Sequence, residues 1–204
     1  MSDRLPLLPA AFLALWPASA SAVELSASMG LGAPTGHFER YDTKVELGPV
    51  LAAAVEGRLI GPLGLRAQLQ AAFLEGPELD LSPNHVGQFE GSARQLALLG
   101  GPSLLTAVGR AELALYLDLG LFDSRGTVGI GAYDGPGGSS RLHISGPAAG
   151  LEGAAFYRAS PRLSVGLVGG YTRLWARQRN VNDERGYQRG FFAVSFALRF
   201  STRN

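Results

Sequence analysis

A chain of 204 residues with 46 % apolar residues has the size of one domain and enough apolar material to fold. Its formal net charge of +1 gives no electrostatic ground for binding nucleic acid, so no nucleic-acid partner is expected. It holds 28 glycines and no cysteine, which excludes a disulfide framework and leaves stability to the backbone ladder and packing.

The N-terminal stretch "MSDRLPLLPAAFLALWPASASA" carries Arg4, then an apolar run from Leu5 to Trp16, then small residues ending in Ala20-Ser21-Ala22. That order is the order of a secretory signal peptide, and the run is shorter than the roughly 20 residues a spanning helix needs. Residues 1–22 are therefore expected to be cleaved, leaving 23–204 as the folded domain.

From Val23 onward the dominant signal is alternation with period 2. It starts in "VELSASMGLG" and continues in "KVELGPVLAAAVEGR", where Leu47, Pro49, Leu51 and Val55 alternate with Glu46, Gly48, Val50 and Glu56. "LGLRAQLQAAFL" sets Leu63, Leu65, Leu69 and Phe73 against Arg66, Gln68 and Gln70. In "AELALYLDLGLFD" a leucine occupies every second position from Leu113 to Leu121, with Glu112, Tyr116 and Asp118 between them. "RLSVGLVGGYTRLW" and the closing "RGFFAVSFALRF" read the same way. Eight strands are expected, at 23–32, 44–59, 63–75, 90–107, 111–123, 141–158, 162–176 and 189–200.

The connections alternate in length. Short turns fall at Gly61-Pro62, Val108-Gly109-Arg110 and Ala159-Ser160-Pro161. Between them lie "APTGHFERYDT", "EGPELDLSPNHVGQF", "SRGTVGIGAYDGPGGSS" and "RQRNVNDERGYQ". In an up-and-down meander the short turns share one end and the long segments the other. Three strands also carry Gly-Pro, in "VELGP", "ALLGGP" and "HISGP", and proline, which cannot donate to a ladder, is expected at a bulge or near a rim.

Alternation alone fits a soluble lipocalin-like barrel that binds a small apolar ligand as well as a barrel in lipid. Strand length favours lipid, since soluble strands run nearer five or six residues and a tilted membrane strand about 9–11. The polar face is rich in Gly, Ala and Ser, which suits a lumen only eight strands wide. Phe73, Tyr157, Tyr171, Trp175, Phe192 and Phe200 lie toward strand ends, where aromatic girdles sit. "FFAVSFALRF" resembles the C-terminal assembly signal of outer-membrane barrels, with "STRN" following where that pattern ends on the aromatic. Over residues 23–200 the chain resembles the small eight-stranded family that includes the transmembrane domain of outer-membrane protein A. The resemblance implies an eight-stranded antiparallel up-and-down transmembrane β-barrel in the outer membrane of a Gram-negative cell. Membrane lipid and the outer-membrane assembly machinery would be its partners.

On that assignment the lumen receives Glu46, Glu56, Arg58, Arg66, Glu112, Asp118, Glu152, Arg158 and Arg199, with Glu24, Gln68, Gln70, Tyr116 and Arg162. Both charge signs are present, so arginine–carboxylate pairing is expected to plug the barrel. Arg173, Arg177 and Arg179 flank the last long connection and are candidates for contacts with lipid phosphates. "LHISGP" resembles the His-x-Ser element of the outer-membrane lipid A deacylase family, which makes a lipid-modifying enzyme the alternative. Gly146 stands where that family has Asn, and Glu152 has the opposite parity to His143 and Ser145. Neither the acidic "EGPELDLSPNH" nor the glycine-rich "GTVGIGAYDGPGG" makes a metal or phosphate-loop motif. No catalytic residue, metal or cofactor is expected.

Overall fold

The computed structural model describes residues 23–35, 47–75, 79–80, 88–89, 91–130, 138–175 and 188–202. The strands are β1 (Val23–Thr35), β2 (Gly48–Ile60), β3 (Leu63–Glu75), β4 (Leu79–Asp80), β5 (Gln88–Phe89), β6 (Gly91–Val108), β7 (Ala111–Ile130), β8 (Gly138–Arg158), β9 (Leu163–Trp175) and β10 (Gln188–Ser201). Eight of them close a barrel in the order β1-β10-β9-β8-β7-β6-β3-β2, and every barrel pairing is antiparallel. Closure is made by β1 on β10, from Glu24 opposite Ser201 to Thr35 opposite Gly190. The Thr202 amide adds a bond to the Val23 carbonyl at 2.9 Å.

Parity carries each strand's two faces to opposite sides of the wall. Leu113, Leu115, Leu117 and Leu119 are exposed, whereas Glu112, Ala114, Tyr116 and Asp118 are buried. The same split puts Phe192, Val194, Phe196, Leu198 and Phe200 outside, and Phe191, Ser195, Ala197 and Arg199 inside. Met29 is 68 % exposed and Val194 64 %, values that water would penalise and lipid does not. On β7 the outward leucines run from Leu113 to Leu121, about 20 Å along the axis of a tilted strand. The soluble alternative fails here, because the leucine face is the exposed face and the enclosed face carries the charges.

The three short turns share one end. Gly61 (φ 57°) and Gly109 (φ 64°) take the left-handed conformation that a side chain would strain. The third turn is held by Leu163, whose carbonyl accepts from the amides of Ala159 (2.9 Å) and Ser160 (3.1 Å). Arg162 is exposed in that turn and does not line the lumen, a correction to the interior expected for it.

Two further expectations change. The segment 124–140 does not read as loop throughout: β7 runs on to Ile130 and β8 begins at Gly138, extending their ladder beyond the other strands. Thr127, Val128 and Ile130 supply β-branched residues to that extension. Leu79–Asp80 and Gln88–Phe89 likewise pair inside a stretch expected to be loop. The Gly-Pro sites are not bulges, since the register shift lies between Arg58 and Ile60. Pro49 sits at the start of β2 and Pro147 just before β8 meets β9, both rim positions. Pro102 is mid-strand, and there the β6–β7 ladder skips Gly101 and Pro102 and resumes in the same register.

Gly101 and Gly120 face each other's strands at this point. A Cβ at Gly101 would overlap the Leu117 carbonyl oxygen, and one at Gly120 the Leu98 carbonyl oxygen. Gly120→Ala is expected to lower the unfolding free energy by about 1–3 kcal/mol, as overpacking against rigid backbone does. Gly153→Ala, with open space around it, should leave stability unchanged in the same urea titration of bilayer-embedded protein. Equal stability of the two variants would contradict the close approach of β6 and β7.

Candidate functional site

The lumen concentrates the chain's buried charge, and its contents follow from parity. Strands run antiparallel, so residues near the start of one and the end of the next meet at one level. At the turn end this gathers Glu24 from β1, Arg58 from β2, Glu112 from β7, Arg158 from β8 and Arg199 from β10. Glu112 is the hub: Arg158 and Arg199 both donate to it, and Arg58 Nη2 lies 3.5 Å from its Oε2. Arg58 also reaches Glu24 Oε1 at 3.4 Å, and Arg199 Nη1 lies 3.2 Å from Glu24 Oε2. The Arg199 guanidinium stacks 4.1 Å above the Phe156 ring. Arg158 is half exposed, so this knot faces the aqueous mouth on the turn side.

A second knot occupies mid-barrel. Arg66 Nη1 donates to Glu152 Oε2 at 2.6 Å and to Asp118 Oδ2 at 3.3 Å. Gln68 Nε2 donates to the other Glu152 oxygen at 3.3 Å, and the Arg66 guanidinium lies 3.9 Å over the Tyr116 ring. The Tyr116 hydroxyl in turn donates to Glu56 Oε2 at 3.3 Å. Asp118 is 0 % exposed, so its charge depends wholly on partners. Register brings these groups together: Glu56 lies opposite both Glu24 and Arg66, and Tyr116 lies opposite Glu152.

Toward the long-connection end the lumen loses its charge and mixes apolar clusters with the buried Gln70, Gln95, Ser124 and Thr172. Ala97, Leu99, Phe122, Ala148 and Leu174 form one cluster, and Val50, Ala72 and Phe191 another. Phe191 is 1 % exposed, and a Cβ on Gly32 would strike its ring. Sequence reading assigned the inward face as small or polar and did not single out this cap. Parity could have found it, because Phe191 is in phase with Arg199 and Phe122 with Asp118.

Of the charges expected inside, Glu56, Arg58, Arg66, Glu112, Asp118, Glu152, Arg158 and Arg199 line this lumen, and Glu46 lies outside the described residues. Arg173 is exposed on the outward face of β9, with its guanidinium 5.5 Å from the Trp175 ring centre. Arg177 and Arg179 lie outside the described residues, as do residues 1–22 and His37 and His85. Tyr171 and Phe192 meet on the same outer face at 4.7 Å between ring centres. Ser145 is exposed on the outer side of the wall and Glu152 is buried on the inner side. The barrel wall thus separates Glu152 from Ser145, and the His143 side chain lies outside those described.

Arg66→Met would strand two carboxylates in mid-barrel and is expected to cost about 3–5 kcal/mol in urea unfolding from vesicles. Adding Glu152→Gln should return part of that loss, since one stranded charge is then removed. A double variant as unstable as the sum of the singles would show that the pair is not coupled.

No protein-family model matches the chain, and no curated protein matches it. Solved structures do. Ail, the attachment invasion locus protein of Yersinia pestis, superposes with a TM-score of 0.55 at 11 % identity, over 88 % of this chain and 98 % of that one. Neisserial surface protein A gives 0.53 at 11 % identity, over 88 % and 97 %. A major outer-membrane protein of Thermus thermophilus gives 0.50 at 16 % identity, over 88 % and 98 %. The chain therefore has the fold of the small eight-stranded outer-membrane β-barrels, and with an apolar outward band of membrane height it is an integral outer-membrane protein.

Proposed function

We propose that the protein is a non-conducting, non-enzymatic outer-membrane anchor that offers its long connections to the cell exterior in a structural, adhesive or protective role. The observation that carries this reading is the filled lumen. One ion-pair knot occupies the turn end and a second the mid-barrel, and the Phe122 and Phe191 clusters fill the other end. Such an interior serves cohesion, since an open path needs water along its whole length and side chains fill this one.

The outward face supports anchoring. Leucines form the band, and Tyr157 and Phe200 stand toward the turn end while Phe73, Trp175 and Phe192 stand toward the other. Arg173 beside Trp175 suits contact with lipid phosphate at that second rim. Residues 1–22 act as the export signal, and the alternation of β10 is the feature the outer-membrane assembly machinery would read. The separation of Glu152 from Ser145 by the wall argues against acyl-transfer chemistry at His143.

In planar bilayers the folded full chain is expected to give no stepwise conductance at molar salt. Stable ohmic steps would overturn the closed-lumen reading. His143→Ala and Ser145→Ala should leave the acyl composition of outer-membrane lipid unchanged in cells expressing the protein. A change lost in both variants would make it an enzyme.

A further inference from the structure

The ion pairs of the lumen leave one carboxylate out. Arg58 and Arg199 serve Glu24 and Glu112, Arg158 serves Glu112, and Arg66 serves Asp118 and Glu152. Glu56 is 4 % exposed and belongs to no ion pair among the described residues. The Tyr116 hydroxyl donates to its Oε2 at 3.3 Å, and Oε1 is left without a donor. Arg66 and Arg199 act on Glu56 only from a distance, each held by other carboxylates. The described lumen thus carries one more carboxylate than guanidinium, and an uncompensated charge in such an interior is costly.

The second observation is the surroundings of Oε1. Register sets Glu56 opposite Arg66, Arg58 opposite Gly64, and Gly64 opposite Ser103 on β6. Gly64 has no side chain, and three oxygens converge on the place one would take. A Cβ there would lie 2.5 Å from Ser103 Oγ, 3.0 Å from the Gly57 carbonyl oxygen and 3.5 Å from Glu56 Oε1. The shortest of these is a clash for carbon, yet it is an ordinary length for oxygen on a hard cation, about 2.3–2.6 Å for calcium. Ser103 is 2 % exposed and neighbours Glu56, but neither its hydroxyl nor Glu56 Oε1 is aligned for a hydrogen bond. The described residues bring no three His, Asp or Glu side chains together around a metal. The ligand set therefore has the charge of a single carboxylate, which a monovalent ion balances.

We infer that Glu56 Oε1, Ser103 Oγ and the Gly57 carbonyl hold a monovalent hard cation, sodium in size, beside Gly64. The ion supplies the positive charge that Glu56 lacks and gives both side-chain oxygens a partner. Carboxylate, hydroxyl and carbonyl oxygens suit such an ion and not a soft metal. It ties β2 to β6 across the glycine of β3. Entry is from the turn end, where Glu24 stands opposite Glu56 and the Arg58 side chain is 25 % exposed.

The test is urea unfolding of the full chain folded into vesicles of neutral lipid. Sodium chloride is titrated against N-methyl-D-glucamine chloride at constant ionic strength, which holds general screening fixed. The organic cation is too large for the site. The wild-type folding constant is expected to rise about ten-fold by the point where sodium reaches about ten times its Kd. Glu56→Gln, which keeps the shape and removes the charge, should show no rise. Ser103→Ala should move the rise to higher sodium. Arg110→Gln, on the second turn, should respond as the wild type does. An equal rise in Glu56→Gln would overturn the site as a bulk salt effect. A wild type indifferent to sodium would overturn it too, and stability that then changes with pH only while Glu56 is present would assign the place to a proton. A larger rise with calcium at equal ionic strength would overturn the monovalent assignment. Heat-dependent gel mobility reports the folding of each variant separately.

Discussion

Lipid offers no hydrogen bonds, and that deprivation governs the rest of this structure. Each backbone N–H and C=O at membrane depth must be satisfied by the protein itself. A meander of eight strands meets that demand only if its first and last strands pair, which β1 and β10 do along nearly their whole lengths. Once the ladder is closed, strict alternation is the remaining freedom, with one face for lipid and one for a narrow interior. Gly101 and Gly120 belong to the same account, because the tight β6–β7 contact leaves no room for a side chain against either carbonyl.

The interior resolves a conflict between two costs. Burying charge is expensive, and leaving a void forfeits packing. The chain divides the lumen along its axis. Near the turn end, where Arg158 is half exposed and water is close, five charged residues from five strands share one network around Glu112. In mid-barrel, where Asp118 has no exposure, Arg66 serves two carboxylates and stacks on Tyr116. Toward the other end charge disappears and Phe122, Leu174, Phe191 and Val50 fill the space. Because each knot draws on distant strands, it is satisfied only in one register, since a slip of one residue would turn every charge toward lipid.

The outer surface follows the same logic with the opposite solvent. Leucine and phenylalanine positions are exposed in the middle of the wall, and polar residues return where the band ends, at Asp123 and Arg125 on β7 and at Arg173 on β9. The β7–β8 ladder continues past this rim, beyond the other strands. Proline marks where pairing is allowed to lapse: Pro102 coincides with the two skipped pairs, at no cost in register.

Much of this was determined by the sequence by itself. Period-2 alternation from Val23 to Phe200 and the alternation of short and long connections specify an eight-stranded meander with one apolar and one polar face, because side-chain direction in a strand is a local property, and strand length with the small residues of the polar face turned the apolar one outward. Parity likewise assigned Glu56, Arg66, Glu112, Asp118, Glu152 and Arg199 to the lumen. What it could not assign was partnership. That Arg66 reaches Asp118 and Glu152, while Glu56 takes the Tyr116 hydroxyl, depends on the register and shear of strands far apart in the chain. The convergence of Glu56 and Ser103 beside Gly64 has the same origin. So has the axial split of the lumen, for phase tells inside from outside but not which inward residues share a level. Only closure of the barrel sets the levels, and with them the chemistry at each height.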